Sequence, residues 1–94
     1  MRDTRADDAF LENPQAGDIY TVRSDSANTY SLLKVLQVSG NSVELVANEY
    51  ETTDTNPINS LNAPFRYSKE SFVITHLDLQ IMRRQGKLTD VDRL

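Results

Sequence analysis

Short runs of apolar residues, separated by polar turn-forming segments, make up most of the chain. The runs 19–23, 30–39, 42–52 and 71–74 are rich in Val, Ile, Leu and Tyr, as β-strands are. A helical spacing replaces this pattern only near the end of the sequence, and the charged run 87–93 that follows fits an edge strand. The order β-β-β-loop-β-α-β predicts a mainly β domain with five strands.

Gly40-Asn41 separates the second and third predicted strands and is typical of a two-residue type II′ hairpin turn. Such a turn fixes the register, so that Ser39 faces Ser42. Further along the hairpin, the same register sets Leu36 opposite Leu45. Both faces of the hairpin then carry apolar residues, whereas a half-exposed hairpin has one polar face. Either both faces are covered, or a β-bulge switches the faces midway.

A short helix is predicted over residues 76–85, just before the last strand. Thr75 and Asp78 have the spacing of a capping box, and Gly86 suits the left-handed position that follows a helix. The residues at helical spacing that predict its apolar stripe are Leu77, Ile81 and Met82.

The first thirteen residues differ from the rest in being polar and of mixed charge, apart from Phe10 and Leu11. Residues 1–13 are therefore predicted as a polar N-terminal tail, and 14–94 as a single domain. Two alternatives describe the tail. It is frayed, or it forms a short helical turn that docks Phe10 and Leu11 on the domain.

The composition excludes several classes of partner. The 94 residues suffice for one domain, and 14 acidic against 10 basic residues give a net charge of −4. Residues 42–60 contain four carboxylates and no Lys or Arg, so we expect no binding to nucleic acid, whose phosphates prefer a basic face. No apolar run approaches the roughly 18 residues of a membrane span, so no transmembrane segment is expected.

The residue inventory also excludes most catalytic chemistry. There is no cysteine and one histidine, His76, whereas a metal site needs several His, Cys or clustered carboxylates. The three glycines are far apart, so they form no phosphate-binding loop. We therefore expect no catalytic residue, no metal, no cofactor and no enzymatic activity. Without an apolar leader the protein is expected to be cytoplasmic, or exported or membrane-anchored if an upstream segment was removed.

Tyrosines and carboxylates supply the one candidate for a functional surface. Tyr50, flanked by Glu49 and Glu51, lies where the third predicted strand runs out, beside the long Pro- and Asn-containing loop 53–64. An aromatic flanked by carboxylates at such a strand end is typical of a surface that binds a basic or mixed protein or peptide partner. Two further tyrosines are candidates for the same surface: Tyr30 and Tyr67. For Tyr50 as for these two, the alternative is that the ring packs at an end of the barrel.

Lys34 interrupts an apolar strand, and it is the basis of a second hypothesis that competes with the protein- or peptide-binding surface. Its stem covers apolar surface, or its ammonium pairs with Glu49 across the hairpin. A cluster of Lys34, Glu49 and Glu51 in a concave apolar cavity would favour a small enzyme or ligand-binding domain, whereas a flat exposed Tyr/Glu face favours an interaction module. A purely structural domain of a larger envelope protein is a third hypothesis.

Several short motifs carry a resemblance to a known type of barrel. They are Gly17-Asp18-Ile19-Tyr20, Lys34-Val35, Asn48-Glu49-Tyr50-Glu51, and Leu79-x-x-Met82 before Gly86. Over residues 14–93 the chain resembles a set of small bacterial proteins with SH3-like, KOW-like β-barrels. The resemblance implies a small five-stranded SH3-like barrel with one short helix before the last strand. It brings no function and no oligomeric state with it.

Overall fold

The structure, a computed structural model, describes residues 9–24, 28–53 and 62–93. The elements in these ranges are β1 (Ile19–Arg23), β2 (Tyr30–Ser39), β3 (Ser42–Asn48), a 3-10 turn (Pro64–Arg66), β4 (Tyr67–Thr75), α1 (His76–Arg84) and β5 (Leu88–Asp92). Most of the predicted long loop and the first eight residues of the predicted tail lie outside the described residues.

The five strands form one antiparallel sheet in the order β4-β3-β2-β1-β5. Consecutive strands from β1 to β4 are neighbours, and β5 returns to pair with β1. Within the described ranges β4 and β5 are the two edges and do not pair with each other, so the sheet is not closed into a barrel. A mainly β fold with five strands and a short helix before the last strand is thus confirmed.

The β2–β3 hairpin has the predicted register only near its turn. Ser39 pairs with Ser42, and the first turn residue has a φ of 57°, as a type II′ turn requires. The predicted pairing of Leu36 with Leu45 is wrong, because Leu45 pairs with Val35 and the register shifts at Leu36. This β-bulge exchanges the faces of the hairpin, as the second of the two alternatives predicted.

Because of the bulge and the strand pleat, both faces of the sheet bury apolar residues. The main cluster comprises Leu11, Tyr20, Leu33, Val35, Val43, Leu45, Leu79, Leu88 and Val91. The smaller cluster comprises Ile19, Leu32, Val46 and Tyr67. Tyr20 is fully buried in the main cluster, and this burial raises the pKa of its phenol, with the nearby Asp18 carboxylate as a second cause. The Tyr20 side chain is therefore a neutral core residue.

The end of the predicted tail is docked on the sheet. Residues 9–12 are helical, Leu11 is 3% exposed in the main cluster, and Phe10 packs against it. The Arg93 guanidinium lies 4.3 Å from the centroid of the Phe10 ring and forms two hydrogen bonds, of 2.9 and 2.8 Å, with the carboxylate of buried Asp18. It also donates to the Asn13 carbonyl at 2.8 Å. This part of the tail follows the docked alternative.

Helix α1 begins as predicted and ends one residue earlier. The Thr75 hydroxyl accepts the Asp78 N–H at 3.1 Å, and the Asp78 carboxylate accepts the Thr75 N–H at 2.9 Å, which is a capping box. Gly86, with a φ of 75°, takes the left-handed position after the helix. No helix in the described part of the chain is long and apolar enough to cross a membrane.

The predicted apolar stripe of α1 is wrong in two of its three residues. Leu77 is 59% exposed and Ile81 38% exposed, whereas Leu79 is fully buried and Met82 packs against the main cluster. Since residues two apart on a helix point to nearly opposite sides, burying Leu79 turns Leu77 and Ile81 outward. The helix therefore keeps an exposed apolar pair on its outer side.

Candidate functional site

Strand β3 ends at Asn48, four residues before the predicted end. The Asn48 side-chain oxygen accepts the N–H of Tyr50 at 2.9 Å, and such a local hydrogen bond competes with the strand ladder. The Glu49 N–H donates to the Arg66 carbonyl at 2.7 Å, which attaches the strand end to the 3-10 turn. Two segments that are distant in sequence therefore meet where the predicted binding surface begins.

Strand β2 and the residues before it hold this segment from the other side. The Ser31 hydroxyl donates to the Tyr50 carbonyl at 2.6 Å. The Thr29 hydroxyl donates to the Glu51 carboxylate at 3.1 Å. Although Tyr50 and Glu51 lie outside any strand, the Tyr50 backbone and the Glu51 carboxylate are held by hydrogen bonds to Ser31 and Thr29.

Tyr50, Arg66 and Phe65 form a stack at the surface. The central carbon of the Arg66 guanidinium lies 5.0 Å from the Tyr50 ring centroid and 5.1 Å from the Phe65 ring centroid. Both distances are within the range of about 6 Å for an attractive cation–π interaction. Tyr50 is 47% exposed and Phe65 76% exposed, so each ring also contacts solvent.

We call Glu49, Tyr50, Glu51, Phe65 and Arg66 together the Tyr50 surface. Its two carboxylates are on exposed residues, whereas its guanidinium belongs to a half-buried residue. Two carboxylates against one guanidinium leave an excess of negative charge on these five residues, with both signs present. Because it contacts both rings, the Arg66 guanidinium places a positive charge on this surface.

The other two candidate tyrosines have different positions. Tyr67 is 7% exposed in the smaller core cluster, where burial raises the pKa of its phenol, and its hydroxyl donates to Asn62 at 2.9 Å. Tyr30 is half-buried and packs against the same cluster, and its backbone exchanges hydrogen bonds of 2.7 and 2.9 Å with Thr52. The structure therefore places Tyr67 in the core and Tyr30 at its border, whereas Tyr50, Glu49 and Glu51 are exposed.

Lys34 does not form the predicted ion pair. Its ammonium lies 5.9 Å from the centroid of the Tyr67 ring, and the β-bulge pairs the residue with Val46 instead of Ala47. No salt bridge to Glu49 occurs within the described residues. The stem-covering alternative, extended by a cation–π contact, describes Lys34 better.

Two surface grooves lie elsewhere on the molecule. One, of about 360 Å³, is lined by Leu11, Glu12, Gln80, Arg83 and Arg84. The other, of about 110 Å³, is lined by Gln37, Ser39, Ser42, Glu44 and Val73. Neither groove includes Lys34, Glu49 or Glu51. Among the residues that the structure describes, no three His, Cys, Asp or Glu side chains are placed to hold a metal ion.

Phe65 and Arg66 are the two surface residues that the sequence pattern did not indicate. The loop region separates them from Tyr50 in the sequence, so no local pattern connects them to it. One signal was present, since Phe65-Arg66-Tyr67 is an aromatic–basic–aromatic triplet directly after a proline. Such a triplet places a cation next to aromatic rings, which favours cation–π contacts. The contact with the Tyr50 ring could not be predicted from it, because that contact depends on how the chain folds after the loop.

Comparison with protein-family models, with curated proteins and with solved structures gives no match for this chain. The functional interpretation therefore depends on the geometry and charge of the chain's own residues. Of these, the Tyr50 surface combines exposed aromatic area, fixed backbone and charge.

Proposed function

We propose that this chain is a non-catalytic module of the SH3-like type, with its sheet open between β4 and β5, that binds a basic or mixed-charge protein or peptide segment through the Tyr50 surface. The SH3-like part of the proposal is supported by the strand order, in which β1 to β4 form a four-strand meander and β5 pairs with the outer side of β1. The position of α1 between β4 and β5 also agrees with it.

The exposure of the stacked rings carries the functional part of the proposal. Phe65 is 76% exposed, although its ring is held against a guanidinium that is in turn held by Tyr50. A preordered aromatic with most of its area in water loses little conformational entropy on binding, and aromatic residues and Arg dominate binding energy at interfaces. The stack therefore offers a partner apolar area at low cost in ordering.

The carboxylates define which partner this surface prefers. Glu49 and Glu51 are exposed and flank Tyr50 in the chain, so a Lys or Arg of the partner can pair with them in water-accessible positions. Such rim charges mainly set selectivity and association rate, while the aromatic rings supply contact area. The partner that fits is an extended segment with basic residues next to an apolar or aromatic one.

The enzyme or ligand-binding alternative has less support from the same residues. Glu49 and Glu51 are exposed, and Lys34 contacts the Tyr67 ring instead of either carboxylate. A catalytic carboxylate usually lies in a cleft that excludes water, where burial shifts its pKa. An acidic surface of this kind also disfavours nucleic acid as the partner, because phosphates would face carboxylates.

We expect that a peptide-display selection against the wild-type protein enriches segments that combine Lys or Arg with an aromatic or apolar residue. For an enriched peptide, the double variant Glu49→Gln/Glu51→Gln should bind about tenfold more weakly and with a smaller dependence on salt concentration, because two rim charge pairs are lost. Fluorescence anisotropy titrations at low and high salt measure both effects.

The matched control is Glu12→Gln/Glu70→Gln, which changes the net charge by the same amount at two exposed carboxylates outside the Tyr50 surface. This control should bind like the wild type. Equal weakening in both double variants would show that only net charge matters, and enrichment of acidic peptides would contradict the proposal.

A further inference from the structure

Strand β4 is an edge of the sheet, and the backbone groups on its outer side can be identified from the register. A two-residue hairpin closes with a hydrogen-bonded pair, here Ser39 and Ser42, so Ser42 directs its N–H and C=O to β2. The next residue, Val43, and every second one after it, then direct theirs to β4. Val43 pairs with Ile74, so the backbone N–H and C=O groups of Ile74 are directed to β3.

By the same alternation, Phe72 directs its backbone groups to β3, and Ser71 and Val73 direct theirs away from the sheet. One hydrogen bond checks this assignment independently. Thr75, two residues beyond Val73, donates its N–H to the Asp78 side chain, which lies outside the sheet. The outward N–H and C=O groups of Ser71 and Val73 have no partner among the described residues.

This open stretch of the edge is short and bounded. At one end, the Thr75 N–H is already used by the helix cap. At the other end, the β3–β4 register shifts between Ser71 and Tyr67, and the two charged residues Lys69 and Glu70 follow, as on edges protected against indiscriminate pairing. Between these limits two apolar side chains are accessible, with Phe72 40% exposed and Val73 63% exposed, beside Ser71, whose hydroxyl donates to Glu44 at 2.6 Å.

We infer that a second copy of this chain pairs with this edge, β4 against β4 and antiparallel, about a twofold axis at Phe72. Ser71 of each copy then forms a hydrogen-bonded pair with Val73 of the other. The four cross-strand hydrogen bonds use every outward N–H and C=O group of the two residues in both copies. Phe72 of one copy faces Phe72 of the second as a non-hydrogen-bonded pair, where opposite side chains approach most closely.

A second copy pairs the open stretch completely, because the two residues with unpaired backbone groups lie one on each side of Phe72 and a twofold axis there leaves none of them unpaired. What favours a second copy over a foreign strand is the charge at the two ends of the stretch. The charges agree with this arrangement. Antiparallel pairing directs Lys69 of each copy toward the helix start of the other, where Asp78 lies.

The proposed pairing joins two five-stranded sheets into one and leaves the Tyr50 surface free. Ser71 and Val73 pair with the β3 residues near the hairpin turn, whereas Tyr50 follows the opposite end of β3. Dimer formation and peptide binding therefore fail or succeed independently, and each has its own variants.

Sedimentation equilibrium of the wild-type protein over a wide concentration range should show a monomer–dimer equilibrium. Val73→Pro removes the outward N–H of Val73 but no hydrogen bond within the chain, so the folded monomer should persist while the dimer dissociation constant rises about tenfold or more. Val73→Thr keeps the N–H and is the matched control, for which we expect a dimer like that of the wild type.

A charge exchange tests the register and does not depend on proline being tolerated. Ser71→Glu/Val73→Glu and Ser71→Lys/Val73→Lys each place like charges opposite one another, so each variant alone should be monomeric, and their equimolar mixture should form a heterodimer. A wild-type protein that stays monomeric at millimolar concentration would overturn the inference. So would a Val73→Pro dimer as tight as the wild type, or a mixture of the charge variants that stays monomeric.

Discussion

Replacing Arg93 with Met should lower the free energy of unfolding by about 3–5 kcal/mol, the usual cost of removing one partner of a buried ion pair. Asp18 is 1% exposed, and Arg93 supplies two of its hydrogen bonds, at 2.9 and 2.8 Å. Without Arg93, the buried carboxylate keeps, among the residues that the structure describes, only the hydrogen bond from the Gln15 N–H at 3.0 Å. Urea unfolding at neutral pH, followed by circular dichroism, measures the change.

The double variant Asp18→Asn/Arg93→Met separates the buried charge from the lost contacts. Because it removes the carboxylate as well, it should be less destabilised than Arg93→Met alone. Should Arg93→Met cost less than about 1 kcal/mol, the pair would be behaving as an exposed surface salt bridge, and its role in fixing the docked helical turn would be contradicted.

Replacing Leu79 with Ala should lower the free energy of unfolding by about 2–5 kcal/mol, whereas Leu77→Ala should change it by less than about 0.5 kcal/mol. The two residues share one helix and one side-chain chemistry, so helix propensity cancels in the comparison. They differ in burial, since Leu79 is fully buried in the main cluster and Leu77 is 59% exposed. Denaturant unfolding of both variants in parallel gives the difference.

Equal losses in the two variants would show that α1 packs differently. A larger loss at Leu77 than at Leu79 would restore the apolar stripe that the sequence spacing predicted. Ile81→Ala provides a further comparison, because Ile81 lies on the outer side of the helix with Leu77 and is 38% exposed.

Features set by short-range chemistry could be predicted from the sequence, and the helix is the clearest example. Thr75 and Asp78 are three residues apart, and their reciprocal hydrogen bonds need nothing from the rest of the fold. Which side of that helix is buried depends instead on the angle at which it leaves β4. The spacing of the apolar residues predicted a stripe with Leu77 and Ile81, and packing against the sheet buries Leu79 instead.

The hairpin shows the same limit. Its turn determines the pairing of the residues beside it, but the β-bulge at Leu36 changes every pairing further along. The predicted strand β3 was too long because Tyr50 has a high β-strand propensity. In the structure, the Asn48 side chain takes the Tyr50 N–H, and the ladder ends there.

The candidate site follows the same division. Tyr50, Glu49 and Glu51 are adjacent in sequence and lie near a strand end, so their common position could be predicted from local pattern. Phe65 and Arg66 reach Tyr50 only through the hydrogen bond between the 3-10 turn and the end of β3. No sequence pattern indicates a hydrogen bond of that kind. Without this hydrogen bond, the Arg66 guanidinium would not be held next to Tyr50.

The measurement that tests the binding surface most directly is a paired determination on Tyr50→Ala, namely its free energy of unfolding and its affinity for a selected basic peptide. The Tyr50 ring is 47% exposed and stacks on Arg66. We predict a stability loss under about 1 kcal/mol together with at least about a tenfold loss of affinity, while Leu77→Ala leaves both nearly unchanged. A stability loss of about 3 kcal/mol or more, as for a core aromatic, or an unchanged affinity would contradict the Tyr50 surface as the binding site.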